Sequence, residues 1–351
     1  MGLDIEALLA EISPEEPCGA DLSYDPAYYQ FMRDAEGTPE QRLGDSVIEA
    51  VEPDWRSVKS QGIDLFARTK DLNVTMVLML ALTVNDAING LAEGLQLLRR
   101  LLERWWDQMH PRLDPDENND PLERMNLISA LNVAPGAMGD TRRFQARVRE
   151  MPLCKSRQLG AFNYRHVLIA RGEIERPAGM ENPPEMAIID AAFAEVEPEQ
   201  LKSDADAAAR AASTIRDIDR WILEKVGSNH APDLQDFIKL LTGVEKFYQE
   251  QLVRRGLSEA PAEASVEGQA GGGGGVEQIR GSVKGPEDVR QLIGKICEYY
   301  ERHEPSSPIP MLLRRAERLV GKGFIDVVRD LSPDALSQLK MVAGVDTFEP
   351  R

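Results

Sequence analysis

In this chain of 351 residues the side chains whose types could carry chemistry are few, and their spacing fits none of the common constellations. His303-Glu304 begins like the helix of a zinc protease, but Ser307 stands where the second histidine is needed and Pro305 breaks the helix that the motif requires. Asp114, Asp116, Asn118 and Asp120 alternate as the oxygen ligands of a calcium loop do. The sharp-turn glycine of that loop is Asn119 here and the bidentate glutamate is Met125, which argues against it. The five glycines at 271–275 are followed by Val276-Glu277 rather than by the Lys-Ser or Lys-Thr pair of a phosphate-binding loop. His110 and His303 are placed near helix ends ahead of a proline, where partial positive charge is welcome, and His166 and His230 have no ligand-spaced partners. Cys18, Cys154 and Cys297 are odd in number and dispersed, which suits reduced packing residues. The expectation is a protein that is not an enzyme and takes no metal and no cofactor.

The charge pattern points to surfaces. Net charge is −18, and residues 1–135 hold 25 acidic and 11 basic side chains, residues 136–283 hold 23 and 19, and residues 284–351 hold 11 of each. An acidic surface repels nucleic acid and anionic lipid at range, so neither is expected on the N-terminal region. One basic cluster stands out: Arg142, Arg143, Arg147, Arg149, Lys155 and Arg157. Such a run could hold phosphates, which makes nucleic-acid binding through residues 142–157 the alternative function. With no zinc motif, RNA-binding signature or interleaved aromatics beside it, pairing with the acidic N-terminal region is the expected role.

The elements that must position these residues read as helices. Ile5, Leu8, Leu9 and Ile12 make a short amphipathic helix, and Pro17 curtails the capping box of Ser13 to Glu16, leaving an ordered loop over 17–23. Asp25-Pro26 then opens a helix through Tyr28, Tyr29 and Met32 that Gly37 ends. Three patterns follow between 53 and 109. The first carries Trp55, Val58, Gly62, Leu65 and Phe66; the second, capped by Asp71, is apolar nearly all round and belongs at a bundle centre. The third sets Ile88, Leu91, Leu95, Leu98, Leu102, Trp105 and Met109 on a heptad seam, with Trp106 off it. The uncharged run 72–85 is too short to cross a bilayer and the first helix is acidic, so a cytoplasmic protein with no direct membrane insertion is expected.

Farther on, Asp120-Pro121-Leu122-Glu123 starts a helix through Met125, Ile128 and Leu131, and Asn163 caps another that closes at Gly172. Residues 136–160 read as a boundary. Three prolines in 175–184 precede a helical middle segment with Ile188, Phe193, an alanine-rich helix to Val226 and a last pattern from Leu234 to Leu252, able to fold alone or to extend the first bundle. Residues 258–285, poor in apolar side chains, read as a flexible tether.

Beyond the tether, a helix from Glu287 must stop near His303, because Pro305, Pro308 and Pro310 hold the chain extended. A new helix starts at Pro310, with Leu312, Leu313, Ala316, Leu319 and Val320 on one face, and ends at Gly321 and Gly323. The stretch from Tyr299 to Val328 resembles the C-terminal domain of the TssA (ImpA) family of bacterial type VI secretion systems. A second resemblance, to the N-terminal domain of the same family, lies in I-S-P-E-E-P-C-G-A-D-L-S-Y-D-P from Ile12 to Pro26, E-P-D-W at Glu52 to Trp55 and H-P-R-L-D-P-D-E-N-N-D-P from His110 to Pro121.

The expected fold is all-α, a multi-domain arrangement of helical bundles: an acidic domain at 1–135, a boundary and middle domain at 136–256, a Gly-rich linker at 257–285 and a helical oligomerisation domain at 286–351. The resemblance implies a non-enzymatic assembly component that forms a ring-like homo-oligomer and engages baseplate, tube, sheath and membrane-complex proteins, recruited from the cytoplasm to the inner-membrane-docked apparatus. For oligomerisation the candidates are Tyr299, Tyr300, His303, Pro305, Pro308, Pro310, Leu312, Leu313, Leu319, Val320 and Phe324. For partner docking they are Pro17, Cys18, Gly19, Asp21, Leu22, Tyr24, Asp25 and Trp55, although plugging the domain's core is the more expected role of Cys18, Leu22 and Tyr24.

Overall fold

The computed structural model describes residues 3–38, 41–43, 46–48, 51–177, 179–180, 182–258, 286–303, 308–323 and 327–328. The chain divides into two compact units, Met1–Ser265 and Val266–Arg351. In the first, α1 (Ile5–Leu8), α2 (Pro26–Glu36) and α3 (Trp55–Phe66) surround α4 (Leu72–Trp105), followed by α5 (Leu122–Ser129), α6 (Phe144–Glu150), α7 (Tyr164–Ala170), α8 (Met186–Ala194), α9 (Pro198–Val226) and α10 (Gln235–Arg254). Capping side chains start several of them: Asp25 accepts from Ala27 N at 2.8 Å, Asp71 from Val74 N at 2.8 Å and Asn163 from His166 N at 3.0 Å.

α4 is two helices. A continuous run of 34 residues would hold its ends about 50 Å apart. Instead Leu72 N donates to His110 O at 2.8 Å and His110 N to Lys70 O at 2.9 Å, so the two ends meet. The reversal is at Ala87, whose φ of 51° and ψ of −132° leave the helical region. Arms 72–86 and 88–105 therefore pack antiparallel, matching the second and third helical patterns of the sequence. The second arm stops at Trp105, short of Met109, which is nonetheless buried. Close approach of the arms depends on two glycines. A Cβ on Gly90 would lie 2.0 Å from the Leu82 carbonyl oxygen, and one on Gly94 2.5 Å from Met79 Cγ. Although Leu72–Trp105 is long and apolar enough for a membrane span, this reversal and its burial make it a core hairpin.

Arg124 closes the hairpin's open end. Its guanidinium is buried, donates to Pro111 O at 2.8 Å, Met109 O at 2.7 Å and the Trp106 carbonyl, and lies over the Trp106 ring at 4.9 Å. These are carbonyls left over at and just beyond a helix C-terminus, where a cation is favoured. On the hairpin's flank, α9 packs along both α4 and α10 with Ala205, Ala208, Ala211 and Ala212 buried. Asn89 donates to Asp204 at 2.7 Å, Arg99 pairs with Asp217 at 2.8 Å, and Trp106 meets Trp221 edge-on at 5.3 Å. The middle segment thus extends the first bundle.

The fold is mostly helical, and among the described residues two antiparallel hairpins accompany the helices: β1 (Gln41–Leu43) with β2 (Ser46–Ile48), and β3 (Pro152–Ser156) with β4 (Gly160–Asn163). The second falls in the stretch read as a boundary. Ser156 Oγ, accepting from Gln158 N at 3.1 Å and Leu159 N at 2.7 Å, organises its turn, and Gly160 at φ 87° completes it. The second unit contains α11 (Pro286–His303) and α12 (Ile309–Leu319), packed antiparallel: Cys297 Sγ lies 3.8 Å from Pro310 O and Arg290 donates to Val320 O at 3.0 Å. Gly321, at φ 80°, follows α12. The expected linker lies outside the described residues, apart from Leu257 and Ser258.

Two substitutions test the reversal in opposite directions. Gly90→Ala should cost about 1–3 kcal/mol, because a methyl group must displace backbone. Ala87→Gly should stabilise by roughly 1 kcal/mol, since glycine adopts that positive φ without strain. Urea unfolding midpoints of the two variants should move apart around that of the parent.

Candidate interaction sites

The loop carrying most of the docking candidates is clamped onto the mouth of the α4 hairpin. Cys18 O accepts from Lys70 N at 2.7 Å, and His110 Nε2 lies 3.0 Å from Gly19 O. Gly19 has φ 71°, and a Cβ there would meet Arg68 O at 2.1 Å, so glycine is obligatory. His110, just beyond the helix end, is therefore an interior latch. The Cys18 thiol is buried, which pushes its pKa up to about 11; the Lys70 ammonium, donating to Phe66 O at 2.8 Å, is pushed down to about 8 by burial. A thiol held this way is a packing group.

The eight docking candidates separate by exposure. Cys18, Gly19, Leu22 and Trp55 are buried. Asp21 is exposed and accepts from Ser23 N at 2.8 Å; Asp25, half-buried, caps α2 and pairs with Arg68; Pro17 is half-buried. Tyr24 is 87% exposed, so Cys18 and Leu22 fill the core without it.

The basic cluster is turned largely onto the chain's own acceptors. Arg142 donates to Asn73 Oδ1, Arg147 pairs with Glu52 at 2.5 Å, and Arg143 lies 3.8 Å from Glu52 and 3.6 Å from Glu150. Arg147 also covers the Trp55 ring at 5.3 Å. Burial opposes the charge on Glu52, but the hydrogen bond and charge of Arg147 outweigh it and keep the carboxyl below its usual range. Burial likewise lowers the pKa of Arg142. Lys155 and Arg157 are exposed. Glu52 and Asn73 were invisible as partners in the sequence, lying 95 and 69 residues from the arginines that they bind.

In the second unit, α12 presents Met311 at 71% and Leu312 at 60% exposure, while Leu313, Leu319 and Val320 are half-buried. Tyr300 is half-buried on α11, Pro308 is exposed and Pro310 half-buried. Tyr299 and His303 lie on α11. Pro305 and Phe324 fall outside the described residues. Elsewhere, a cleft of about 710 Å³ beside the α4 reversal is lined by Cys154, Lys155 and Asp204 among others. Burial pushes the Cys154 thiol up to about 12, too high for a nucleophile at neutral pH.

Comparison with known proteins gives three findings. The family model described as ImpA, N-terminal, type VI secretion system, matches residues 9–133. The type VI secretion system component TssA1 of Pseudomonas aeruginosa PAO1 is 36% identical over 353 residues, spanning 98% of this chain and 99% of that protein. A solved structure of the N-terminal domain, including the conserved ImpA_N region, of the TssA component from Burkholderia cenocepacia has the same fold. It superposes with a TM-score of 0.58 at 23% identity, covering 74% of this chain and 97% of the other.

Asp71 offers a test of the clamp. Burial pushes its carboxyl up to about 7, against an ordinary 3.8, despite the amide hydrogen bonds that it accepts as helix cap. A raised carboxyl pKa favours folding at low pH, where both states are protonated, and that contribution is lost as pH rises from about 4 to about 7. Asp71→Asn keeps the capping oxygen without the titration. Its urea midpoint should gain on the parent's steadily between pH 4.5 and 7.5.

Proposed function

The chain belongs to the TssA (ImpA) family of type VI secretion system components, and on that premise we propose that it is a non-enzymatic scaffold of the apparatus. Its C-terminal helices assemble copies of the chain into a ring-like homo-oligomer, while the N-terminal unit coordinates baseplate, tube and sheath assembly on the cytoplasmic side of the docked machine. The observation that supports assembly is the apolar surface of α12. Met311 and Leu312, at 71% and 60% exposure, stand on a pair of helices too small to build an ample core of its own. A second copy is the apolar surface that such a face lacks. Net neutrality over 284–351 leaves little repulsion against crowding these helices together.

Docking by the N-terminal unit falls to the exposed part of the clamped loop, Asp21 and Tyr24, with Cys18, Gly19, Leu22 and Trp55 as the scaffold beneath. Nucleic-acid binding loses support: Arg142, Arg143 and Arg147 are engaged with Asn73, Glu52 and Glu150.

Light scattering with circular dichroism tests the assembly. The full chain and the fragment 284–351 should each run as a closed oligomer at micromolar concentration, and residues 1–258 as a monomer or dimer. Leu312→Asp should reduce the full chain to monomer with helicity intact, because a side chain already exposed in the monomer leaves no charge buried there. A folded full chain that is strictly monomeric, or a large ring formed by 1–258, would refute the proposal.

A further inference from the structure

We propose that the cleft between α2, the first arm of α4 and the start of α6 is a carboxylate-binding site, occupied internally by Glu52, that receives an acidic segment of a partner protein. The cleft encloses about 290 Å³ and opens beside Glu52, Trp55, Arg142, Arg143 and Arg147. Three N–H donors at its wall are buried and have no hydrogen-bond partner among the described residues: Trp55 Nε1, Arg142 Nη1 and Arg147 Nε. Trp55 is only 8% exposed, so solvent does not satisfy it; its indole stands near enough to Glu52 to help hold that carboxyl below its usual range, but outside the geometry of a full hydrogen bond. Buried donors are seldom left unpaired, and three on residues that line one cleft call for a ligand rich in acceptors.

Glu52 identifies the chemical class. Its carboxylate takes Arg147 Nη2 at 2.5 Å and leaves Nε of the same guanidinium unused. A carboxylate arriving side-on would take both N–H groups of Arg147 at once, the stronger geometry for this pair. The Glu52 side chain is 58% exposed and can swing into solvent. Met32, Pro53, Val77 and Leu80 supply an apolar wall. That wall suits the methylene stem of a glutamate better than a fully hydrated inorganic anion. The inference is independent of the C-terminal ring and reaches beyond the scaffold reading by naming the chemistry of a partner.

The test uses the full chain and a fluorescein-labelled peptide of four glutamates and two leucines, read by anisotropy. Glu52→Ala should tighten binding about tenfold by removing the internal competitor. In that background Arg147→Gln should abolish binding and Trp55→Phe, which keeps the ring and deletes the N–H, should weaken it severalfold, with unchanged circular dichroism in each. Fluorine NMR of the fluorotryptophan-labelled chain should show the Trp55 resonance, assigned through Trp55→Phe, moving with peptide. Glutarate should displace the peptide more effectively than inorganic phosphate. No binding by the Glu52→Ala variant at millimolar peptide, binding indifferent to Arg147 and Trp55, or preferential displacement by phosphate, which would make the cleft a free-anion site, would each overturn the proposal.

Discussion

The antiparallel contact between the two arms of α4 is the constraint on which the first unit depends. Much of that unit is laid against the hairpin: α1 through the Trp105 indole, which donates to Leu9 O at 3.1 Å, α3 with α2 packed on it, and α9, which in turn carries α10. The arms meet because residues 90 and 94 carry no side chain and because Ala87 accepts a backbone conformation that L-residues rarely adopt. Strain at one residue is outweighed by the burial of one nearly all-apolar helix against the apolar seam of the other. The mouth is then closed by short backbone hydrogen bonds between 70–72 and 110 and by the Arg124 guanidinium.

Much of this was legible in the sequence, and the reason is local. Asp25, Asp71 and Asn163 announce helix starts through bonds to amides two or three residues away, and Gly37 ends a helix where a glycine past the last turn is expected. The reversal at Ala87 was half legible. A change in hydrophobic period separated the two arms, but nothing about an alanine predicts a positive φ. The β3–β4 hairpin escaped because its strands are short and its turn rests on a side-chain oxygen, Ser156 Oγ, instead of on an Asn-Gly signal. Long-range pairs escaped altogether: composition tells that arginines near 147 will find carboxylates in an acidic chain, and not that Glu52 is the one.

The motif from Pro17 to Asp25 shows how a recognisable signature divides between architecture and surface. Gly19 is required because a Cβ there would strike Arg68 O, and Cys18 fills the core at 1% exposure, so these residues are explained by packing before any partner is invoked. Tyr24 has no such explanation, and an aromatic ring left in water is the residue of this loop that packing does not use. On α12, likewise, it is Leu312 rather than Leu313 that packing leaves free, although both fall on the apolar stripe in the sequence.

The alanine-lined face of α9 has a kinetic consequence. Its partner is the α4 hairpin, and the Asn89–Asp204 hydrogen bond closes a loop of 115 residues. On a ribosome that adds about 5–20 residues each second, the most apolar segment of the chain therefore emerges several seconds before the helix that covers it. During that interval the hairpin can shield one arm with the other, which a single straight helix of the same composition could not do. Folding back at Ala87 thus serves the nascent chain as well as the finished one, by halving the greasy surface that a chaperone or a neighbouring polypeptide would meet.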